Sequence, residues 1–226
     1  KDGNNKSLRD IKGKYVFTPD NFIKICLILK RIRADVPIIM MGETGCGKTS
    51  LIRKLSELIH NGETCLIYGE MEKEKFKEKL NDLENNGKIS TLIIMNIHAG
   101  INNSDILGFI ETLCPYAERL EKSQEEKIRK NEEEGYFYYI KKIWIFFDEI
   151  NTCKSMDLLS EIICKKSYQG KLLPKTFAFI GACNPYRKRI IQRMGLKLSN
   201  KENDNNDLVY TVYPLPLSLL NYVMNY

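Results

Sequence analysis

The segment Met41-Gly42-Glu43-Thr44-Gly45-Cys46-Gly47-Lys48-Thr49 is the strongest indication of the fold class of this chain. From Gly42 to Thr49 it matches the pattern G-x-x-x-x-G-K-[ST] in full, between an apolar run at residues 36–41 and a helical pattern at residues 49–60. The glycines let the backbone close around an anion with several N–H groups pointing inward, and the helix adds the positive end of its dipole. The motif therefore predicts a phosphate-binding loop between a strand and a helix.

The loop carries the groups that bind a nucleoside triphosphate and its metal ion. Lys48 is expected to supply its charge to the β- and γ-phosphates, and Thr49 to offer a hydroxyl to Mg²⁺. ATP and Mg²⁺ are the predicted cofactors. The predicted nucleotide-binding residues are Gly42, Glu43, Thr44, Gly45, Cys46, Gly47, Lys48, Thr49, Ser50 and Asp148.

Solidly apolar strands alternate with helices along the rest of the chain. A first helix begins at Thr18-Pro19, where Thr18 can cap it and Pro19 suits its first turn. This alternation is typical of a parallel sheet covered on both faces, so the predicted fold is α/β: a P-loop NTPase with a five-stranded parallel sheet flanked by helices. Strands are predicted at residues 36–41, 89–97, 143–147, 176–182 and 208–213, and further helices at residues 49–60, 102–131 and 155–166.

The third predicted strand ends in Asp148-Glu149. Ligands of a parallel sheet bind at the carboxyl ends of its strands, so this pair is expected beside the phosphate loop. Asp148 would hold Mg²⁺ together with Thr49, and Glu149 would orient and deprotonate the attacking water. The alternative is an ordinary acidic turn at the end of a strand.

The fourth predicted strand ends in Asn184-Pro185. The Asn184 amide is in a position to bond the attacking water or the γ-phosphate, although Asn before Pro is also a common turn. The basic residues that follow, Arg187 first among them, form either a solvated face or a source of an arginine that reaches a phosphate.

The composition limits the class of protein. The chain has 226 residues, of which 43% are hydrophobic and 28% charged, as in soluble globular proteins. Its longest apolar runs have the length of strands, so no transmembrane segment is expected. The seven cysteines form no C-x-x-C pair, which favours reduced thiols in a cytosolic or nuclear compartment over a disulfide or zinc framework; a cytoplasmic location is the prediction.

The charge indicates local anion binding rather than a nucleic-acid surface. The chain has 35 Lys and Arg against 29 Asp and Glu, a net charge of +6, and both signs are mixed along it. A nucleic-acid binder would cluster its basic residues on one face or in one tract. No nucleic-acid partner is therefore expected.

Two charged stretches, residues 62–87 and 118–134, interrupt the apolar pattern. In the second, Glu125 and Arg129 stand four residues apart, a spacing that supports a solvated helix. Both stretches are predicted to be exposed helical insertions, with a partner-binding coiled coil as the alternative. The predicted organisation is a polar segment at residues 1–14, followed by one nucleotide-binding domain at residues 15–226.

Together these motifs resemble the AAA+ ATPases, with residues 42–49 as Walker A, residues 143–149 as Walker B and Asn184 as sensor 1. More narrowly, the sequence of these motifs is similar to that of the AAA+ modules of mysterin-like giant RING-finger ubiquitin ligases, whose AAA+ core is related to that of dynein. The strings that carry this resemblance are Thr18-Pro19-Asp20-Asn21, Met41 to Thr49, Phe146 to Thr152, Gly181 to Lys188, and Leu208 to Pro216.

The resemblance implies an ATP hydrolase that acts within a ring of AAA+ modules on one polypeptide. Its expected partners are the neighbouring modules of that polypeptide and, elsewhere in it, ubiquitin machinery. By the same resemblance, Glu149, Asn184 and Arg187 are the catalytic residues, with Arg187 as a trans-acting or sensor arginine. The chain stops where the small helical lid of an AAA+ module would begin, so the lid is expected to be absent.

Four other functions compete with this interpretation. The module could be a structural clamp that holds ATP with little turnover, but such a clamp would not need Glu149 or Asn184. It could be a motor unit like those of dynein or midasin. A GTPase would carry Asn-Lys-x-Asp, and the string at residues 200–203 lacks the final Asp; nothing in the sequence marks the acceptor pocket of a kinase.

Overall fold

The central element of the structure is a six-stranded sheet whose paired strands are all parallel. The structure, a computed structural model, describes residues 18–60, 65–69, 71–85, 92–133, 141–186 and 212–226. The strand order across the sheet is β2-β3-β4-β7-β1-β8. The strands of the sheet are β1 (Ile38–Met41), β2 (Cys65–Tyr68), β3 (Leu92–Asn96), β4 (Ile143–Asp148), β7 (Phe177–Cys183) and β8 (Val223–Asn225). Strands β5 (Ser167–Tyr168) and β6 (Lys171–Leu172) form a separate antiparallel hairpin.

Helices cover both faces of this sheet. They are α1 (Pro19–Arg33), α2 (Lys48–Ile59), α3 (Lys73–Asn85), α4 (Asn103–Glu133), α5 (Met156–Ser160) and α6 (Leu217–Leu220). A π-helical turn, Glu161–Lys165, continues α5, and a 3₁₀ turn, Ile150–Thr152, follows β4.

Alternate residues of the central strands pack into two separate cores. On β4, Trp144 and Phe146 share one buried cluster with α1 and α2. Ile145 and Phe147 point to the other face and share a cluster with α3, α4 and α5. Because both faces are covered, the central strands are apolar throughout, as the sequence indicated.

The start of α1 confirms the predicted cap. The Thr18 hydroxyl accepts the N–H of Asn21 at 3.2 Å, and Pro19 occupies the first turn. Ile25, Ile28 and Ile32 form the buried side of the helix.

The α/β fold with its parallel sheet is confirmed, but the predicted count of five strands is wrong. The structure has a sixth strand, β2, within the first charged stretch. The prediction missed it because its apolar run, Cys65 to Tyr68, is only four residues long and stands in a stretch otherwise rich in Glu and Lys.

The structure also differs from the prediction of a strand at residues 208–213. Its residues 208–211 lie outside the described part of the chain, and Val212 and Tyr213 have no regular secondary structure. The strand that pairs with β1 on this side is β8, with Ile39 opposite Val223.

The two charged stretches are more closely tied to the core than exposed insertions would be. In the first, α3 buries Phe76 and Leu80 completely or nearly so. In the second, α4 continues as a helix, as predicted, but Leu120 and Gln124 are buried. Residues 1–17 lie outside the described part of the chain. None of the described helices combines the length and apolarity needed to cross a bilayer.

Candidate functional site

The strand order brings the three predicted motifs to one edge of the sheet. Strand β7 pairs with β1 on one side and with β4 on the other. The loop after β1, the carboxylates at the end of β4 and Asn184 after β7 therefore meet at the carboxyl ends of three adjacent strands. This is the edge at which parallel sheets bind ligands.

The loop after β1 wraps around the ammonium group of Lys48. Gly45 and Gly47 have φ angles of 80° and 96°, a left-handed conformation that glycine adopts without steric cost. Lys48 Nζ donates to the carbonyl oxygens of Gly42 at 2.8 Å and Glu43 at 3.0 Å. The Lys48 side chain is thus fixed by its own loop and is only 7% exposed.

The first turn of α2 contacts the end of β4. The hydroxyl of Thr49 donates to the Asp148 carboxylate at 2.6 Å, a contact between residues 99 positions apart in the sequence. The two residues predicted to hold Mg²⁺ are therefore adjacent.

Glu149 follows in a strained conformation. Its φ of 55° and ψ of 42° are left-handed, which is costly for a residue with a side chain. Its backbone N–H donates to Asp148 Oδ1 at 3.1 Å, so the turn is fixed by its neighbour. Strain of this kind is concentrated at functional sites, where the surrounding structure holds it in place.

Asn184 completes the arrangement on the side of β7. Its side-chain oxygen lies 3.5 Å from Lys48 Nζ, and the residue is 5% exposed. Its backbone is held by the side chain of Asn151, which accepts the Asn184 N–H at 3.2 Å and donates to the Asn184 carbonyl at 2.9 Å.

These groups enclose a polar cavity of about 210 Å³. Within it, burial raises the pKa of the Cys183 thiol to about 12, while the charge of Lys48 opposes this rise. Cys183 therefore lines the cavity as a neutral thiol. The cavity is lined by Thr44, Gly45, Gly47, Lys48, Thr49, Ser50, Asp148, Glu149, Cys183 and Asn184.

Three predicted loop residues do not line this cavity. Gly42 and Glu43 contribute the carbonyl oxygens that bind Lys48, and Cys46 is exposed. Arg187 lies outside the described residues. A larger groove of about 480 Å³ lies between α3 and α4, but it shares no lining residue with this cavity.

The oxygen groups at the cavity suit Mg²⁺ bound together with a substrate better than a metal ion bound by protein side chains alone. Among the described residues there is no group of three or more His, Cys, Asp or Glu that could hold a metal ion. Thr49 and Asp148 offer one hydroxyl and one carboxylate. Mg²⁺ is commonly bound in this way, with waters and substrate phosphates as its other ligands.

Comparison with known proteins finds similar AAA domains. The family model for the RNF213 AAA domain matches residues 15–73. E3 ubiquitin-protein ligase rnf213-beta of Danio rerio is 30% identical over 99% of this chain, and E3 ubiquitin-protein ligase RNF213 of Mus musculus is 31% identical over 94%. The Homo sapiens protein of that name is 28% identical over 94%.

The chain resembles an AAA module of RNF213, or mysterin. It spans 4% of the length of each of these relatives. The resemblance to mysterin-type AAA+ modules inferred from the sequence is thereby confirmed.

Three residues of this AAA-type module that neighbour residues of the site were not predicted. Asn96 ends β3 in register with Asp148, and a polar residue that closes an apolar strand was a usable signal. Asn151 had no such signal, because its contacts are with residues distant in the sequence.

Tyr226 is the third of these residues. Its hydroxyl donates to the Gly47 carbonyl at 3.3 Å, and its backbone N–H donates to the Met41 carbonyl at 2.7 Å. Lys24 Nζ lies 4.2 Å from the centre of its ring. Tyr226 therefore packs against the outer side of the phosphate loop.

Proposed function

We propose that this chain binds ATP with Mg²⁺ in the polar cavity and hydrolyses it. The observation that carries the proposal is the contact between Thr49 and Asp148 at 2.6 Å, beside the buried ammonium of Lys48. A glycine-rich loop, a lysine and a hydroxyl–carboxylate pair at one sheet edge are the parts that a triphosphate and its metal require.

Lys48 and the loop amides bind the phosphates in this proposal. The cavity is lined by the loop from Thr44 to Ser50, apart from the exposed Cys46, so backbone N–H groups at the start of α2 face it. An ammonium group attracts phosphate oxygens strongly when it is shielded from water, and Lys48 is held in place by the neutral oxygens of Gly42, Glu43 and Asn184.

Thr49 and Asp148 are the proposed metal ligands. Mg²⁺ held by these two residues would neutralise charge on the phosphates and orient them. The strained turn then directs Glu149 toward the cavity, where its carboxylate accepts a proton from water. The water oxygen bonds to the γ-phosphorus, the bond to the bridging oxygen breaks, and that electron pair leaves with ADP. The Asn184 amide orients the water or the γ-phosphate.

The test is ATP turnover and ATP affinity in wild type and Glu149→Gln. The substitution keeps the shape of the side chain but removes the base, so turnover should fall about a hundredfold or more while affinity changes little. Glu125→Gln on the exposed side of α4 is the matched control and should leave both unchanged. Wild-type binding without turnover would establish the clamp instead, and no binding would exclude both functions.

At the level of the whole polypeptide, we propose an AAA+ module of a mysterin-like E3 ubiquitin ligase. The relatives carry the name E3 ubiquitin-protein ligase, which supports this assignment. Hydrolysis would then drive or gate a conformational change of the AAA ring, with the neighbouring modules and the ubiquitin machinery of the same cytoplasmic polypeptide as partners. Arg187 would be the trans-acting or sensor arginine, so Arg187→Ala in the full-length protein should slow turnover more than it weakens binding.

The proposed domain extends over residues 15–226, with the charged stretches as elaborations of it. The buried residues of α3 and α4 mean that neither stretch can be removed without opening the core.

A further inference from the structure

Asn151 is a buried polar residue for which the chemistry above has no role. It lies in the 3₁₀ turn two residues after Glu149 and is 1% exposed. An amide side chain is buried at a cost unless its hydrogen bonds are made.

The hydrogen bonds of Asn151 all go to the backbone at two distant points of the chain. Its side chain accepts the Asn184 N–H at 3.2 Å and donates to the Asn184 carbonyl at 2.9 Å. It also lies 3.4 Å from the Tyr213 carbonyl, and its own carbonyl accepts the Tyr213 N–H at 2.7 Å. One side chain thus binds both backbone polar groups of Asn184.

This arrangement matters because Asn184 lies just beyond the sheet. The pairing of β7 with β1 ends at Met41 and Cys183. The backbone of Asn184 is therefore fixed by a side chain where the strand ladder has stopped.

Asn151 itself belongs to the turn that carries Glu149. The Thr152 N–H and hydroxyl both donate to the Glu149 carbonyl, at 3.0 and 2.9 Å, and the same hydroxyl lies 3.1 Å from the Ile97 carbonyl. Asn151 therefore belongs to a rigid turn that begins at Glu149, and it ties that turn to Asn184.

We propose that Asn151 is a positioning residue that fixes Asn184 relative to Glu149. It holds the Asn184 backbone so that the carboxamide stays beside Lys48 and faces the same cavity as the Glu149 carboxylate. The inference rests on the proposed ATP hydrolysis, since it assigns the spacing of two groups that act there.

Asn151→Asp is the sharpest variant, because it keeps the size of the side chain and one acceptor oxygen and replaces the amide donor with a second carboxylate oxygen, which adds a charge at pH 7.5. A carboxylate still accepts the Asn184 N–H, but it cannot donate to the Asn184 carbonyl. At pH 7.5 the turnover of ATP should fall about tenfold while ATP affinity stays within about threefold of wild type. Turnover relative to wild type should recover toward pH 5.5, because a protonated acid donates again and burial favours that form. A folded variant with no relative recovery would overturn the proposal.

A double-mutant cycle with Asn184→Ala separates positioning from general support. If Asn151 acts through Asn184, Asn151→Ala slows turnover about tenfold in wild type and has little further effect in the Asn184→Ala background. The same fractional loss in both backgrounds, or wild-type turnover in Asn151→Ala, would contradict the proposal. If Asn151→Ala fails to fold, the pH profile of Asn151→Asp tests whether Asn151 positions Asn184.

Hydrogen exchange of the Asn184 amide tests the same contact without turnover. The amide should exchange about tenfold faster in Asn151→Ala than in wild type, because Ala has no oxygen to accept the Asn184 N–H, while the amide of Ile145 inside β4 should not change. An unchanged Asn184 amide would refute the positioning role. Wild-type protein that hydrolyses no ATP would refute the proposed function instead, and the exchange result would still decide this inference.

Discussion

The hydroxyl of Thr49 donates a hydrogen bond of 2.6 Å to the carboxylate of Asp148. This contact joins the first turn of α2 to the end of β4, although β7 lies between β4 and β1 in the sheet. The helix therefore reaches across one strand. The contact fixes both a candidate metal hydroxyl and a candidate metal carboxylate before any ligand arrives, which reduces the entropy cost of binding.

Replacement of Thr49 by Val should weaken nucleotide binding chiefly in the presence of Mg²⁺. Val has nearly the same shape but no hydroxyl, so the metal loses one ligand and Asp148 loses its donor. We expect ATP affinity with Mg²⁺ to fall about tenfold or more, with a much smaller change when EDTA is present. Titration with a fluorescent ATP analogue measures both conditions.

Thr49→Ser is the matched control, because it keeps the hydroxyl and removes only a methyl group. It should bind within a few-fold of wild type. If Thr49→Val lost the same factor of ATP affinity with and without Mg²⁺, Thr49 would stabilise the phosphate loop and would not bind the metal.

Replacement of Lys48 by Ala should abolish measurable ATP binding. The change removes the cation that fills the loop and leaves the carbonyl oxygens of Gly42 and Glu43 without their donor. A lost charge-assisted contact to a phosphate is worth about 2 kcal/mol or more, so the affinity should fall at least about thirtyfold. Isothermal titration calorimetry with ATP and Mg²⁺ is the measurement.

Arg53→Ala is the control for loss of positive charge on the same helix, since Arg53 is exposed. It should bind ATP as wild type does. ATP affinity that is equally reduced in both variants would indicate general electrostatic attraction rather than a phosphate-binding loop.

The parts of the site that follow from local sequence were predictable. The loop from Gly42 to Thr49 is contiguous, and its spacing alone dictates which groups converge. Strands β4 and β7 were recognisable because both of their faces are buried, so that each is a continuous apolar run. With those strands parallel, the meeting of Asp148, Glu149 and Asn184 at one edge followed.

The parts that depend on tertiary pairing were not predictable. Strands β2 and β8 have only four and three residues, and runs this short cannot be assigned to a strand by their pattern alone; pairing with a neighbouring strand identifies them. Asn151 and Asn184 are 33 positions apart, and no periodicity connects them. The buried Gln124 was hidden in the same way inside a stretch that is otherwise charged.

Replacement of Gln124 by Leu should destabilise the fold. Gln124 is 3% exposed, and its amide accepts the Lys141 N–H at 2.5 Å and donates to the Lys141 carbonyl at 3.1 Å. Leu leaves both backbone groups of Lys141 unpaired, which should lower the free energy of unfolding by about 1–3 kcal/mol. Urea denaturation followed by circular dichroism measures this difference.

Glu125→Leu is the matched control, because the neighbouring side chain is exposed. Its free energy of unfolding should stay within about 0.5 kcal/mol of wild type. If both variants unfold at the same urea concentration as wild type, the Gln124 contacts do not stabilise the end of α4.

His60 should make the stability of the fold depend on pH below neutrality. Its ring packs edge-on against Trp144 with 5.3 Å between ring centres, and Nε2 is buried without a hydrogen-bond partner in the described part of the chain. Burial, with a smaller effect of the Lys141 charge, lowers the pKa of His60 from 6.5 to about 4. Between these two values the unfolded chain binds a proton that the folded chain does not, so the unfolded state gains stability as the pH falls.

The contribution of His60 is therefore complete above pH 6.5 and lost progressively toward pH 4. Because the ring is half-buried and water screens its charge, we expect the loss to amount to about 1–2 kcal/mol. His60→Phe keeps an aromatic ring against Trp144 and cannot titrate, so its unfolding free energy should fall less than that of wild type between pH 7 and pH 4.5. His98→Gln, on an exposed loop, should follow wild type over the same range. Parallel pH curves for wild type and His60→Phe would show that protonation of His60 is not coupled to unfolding.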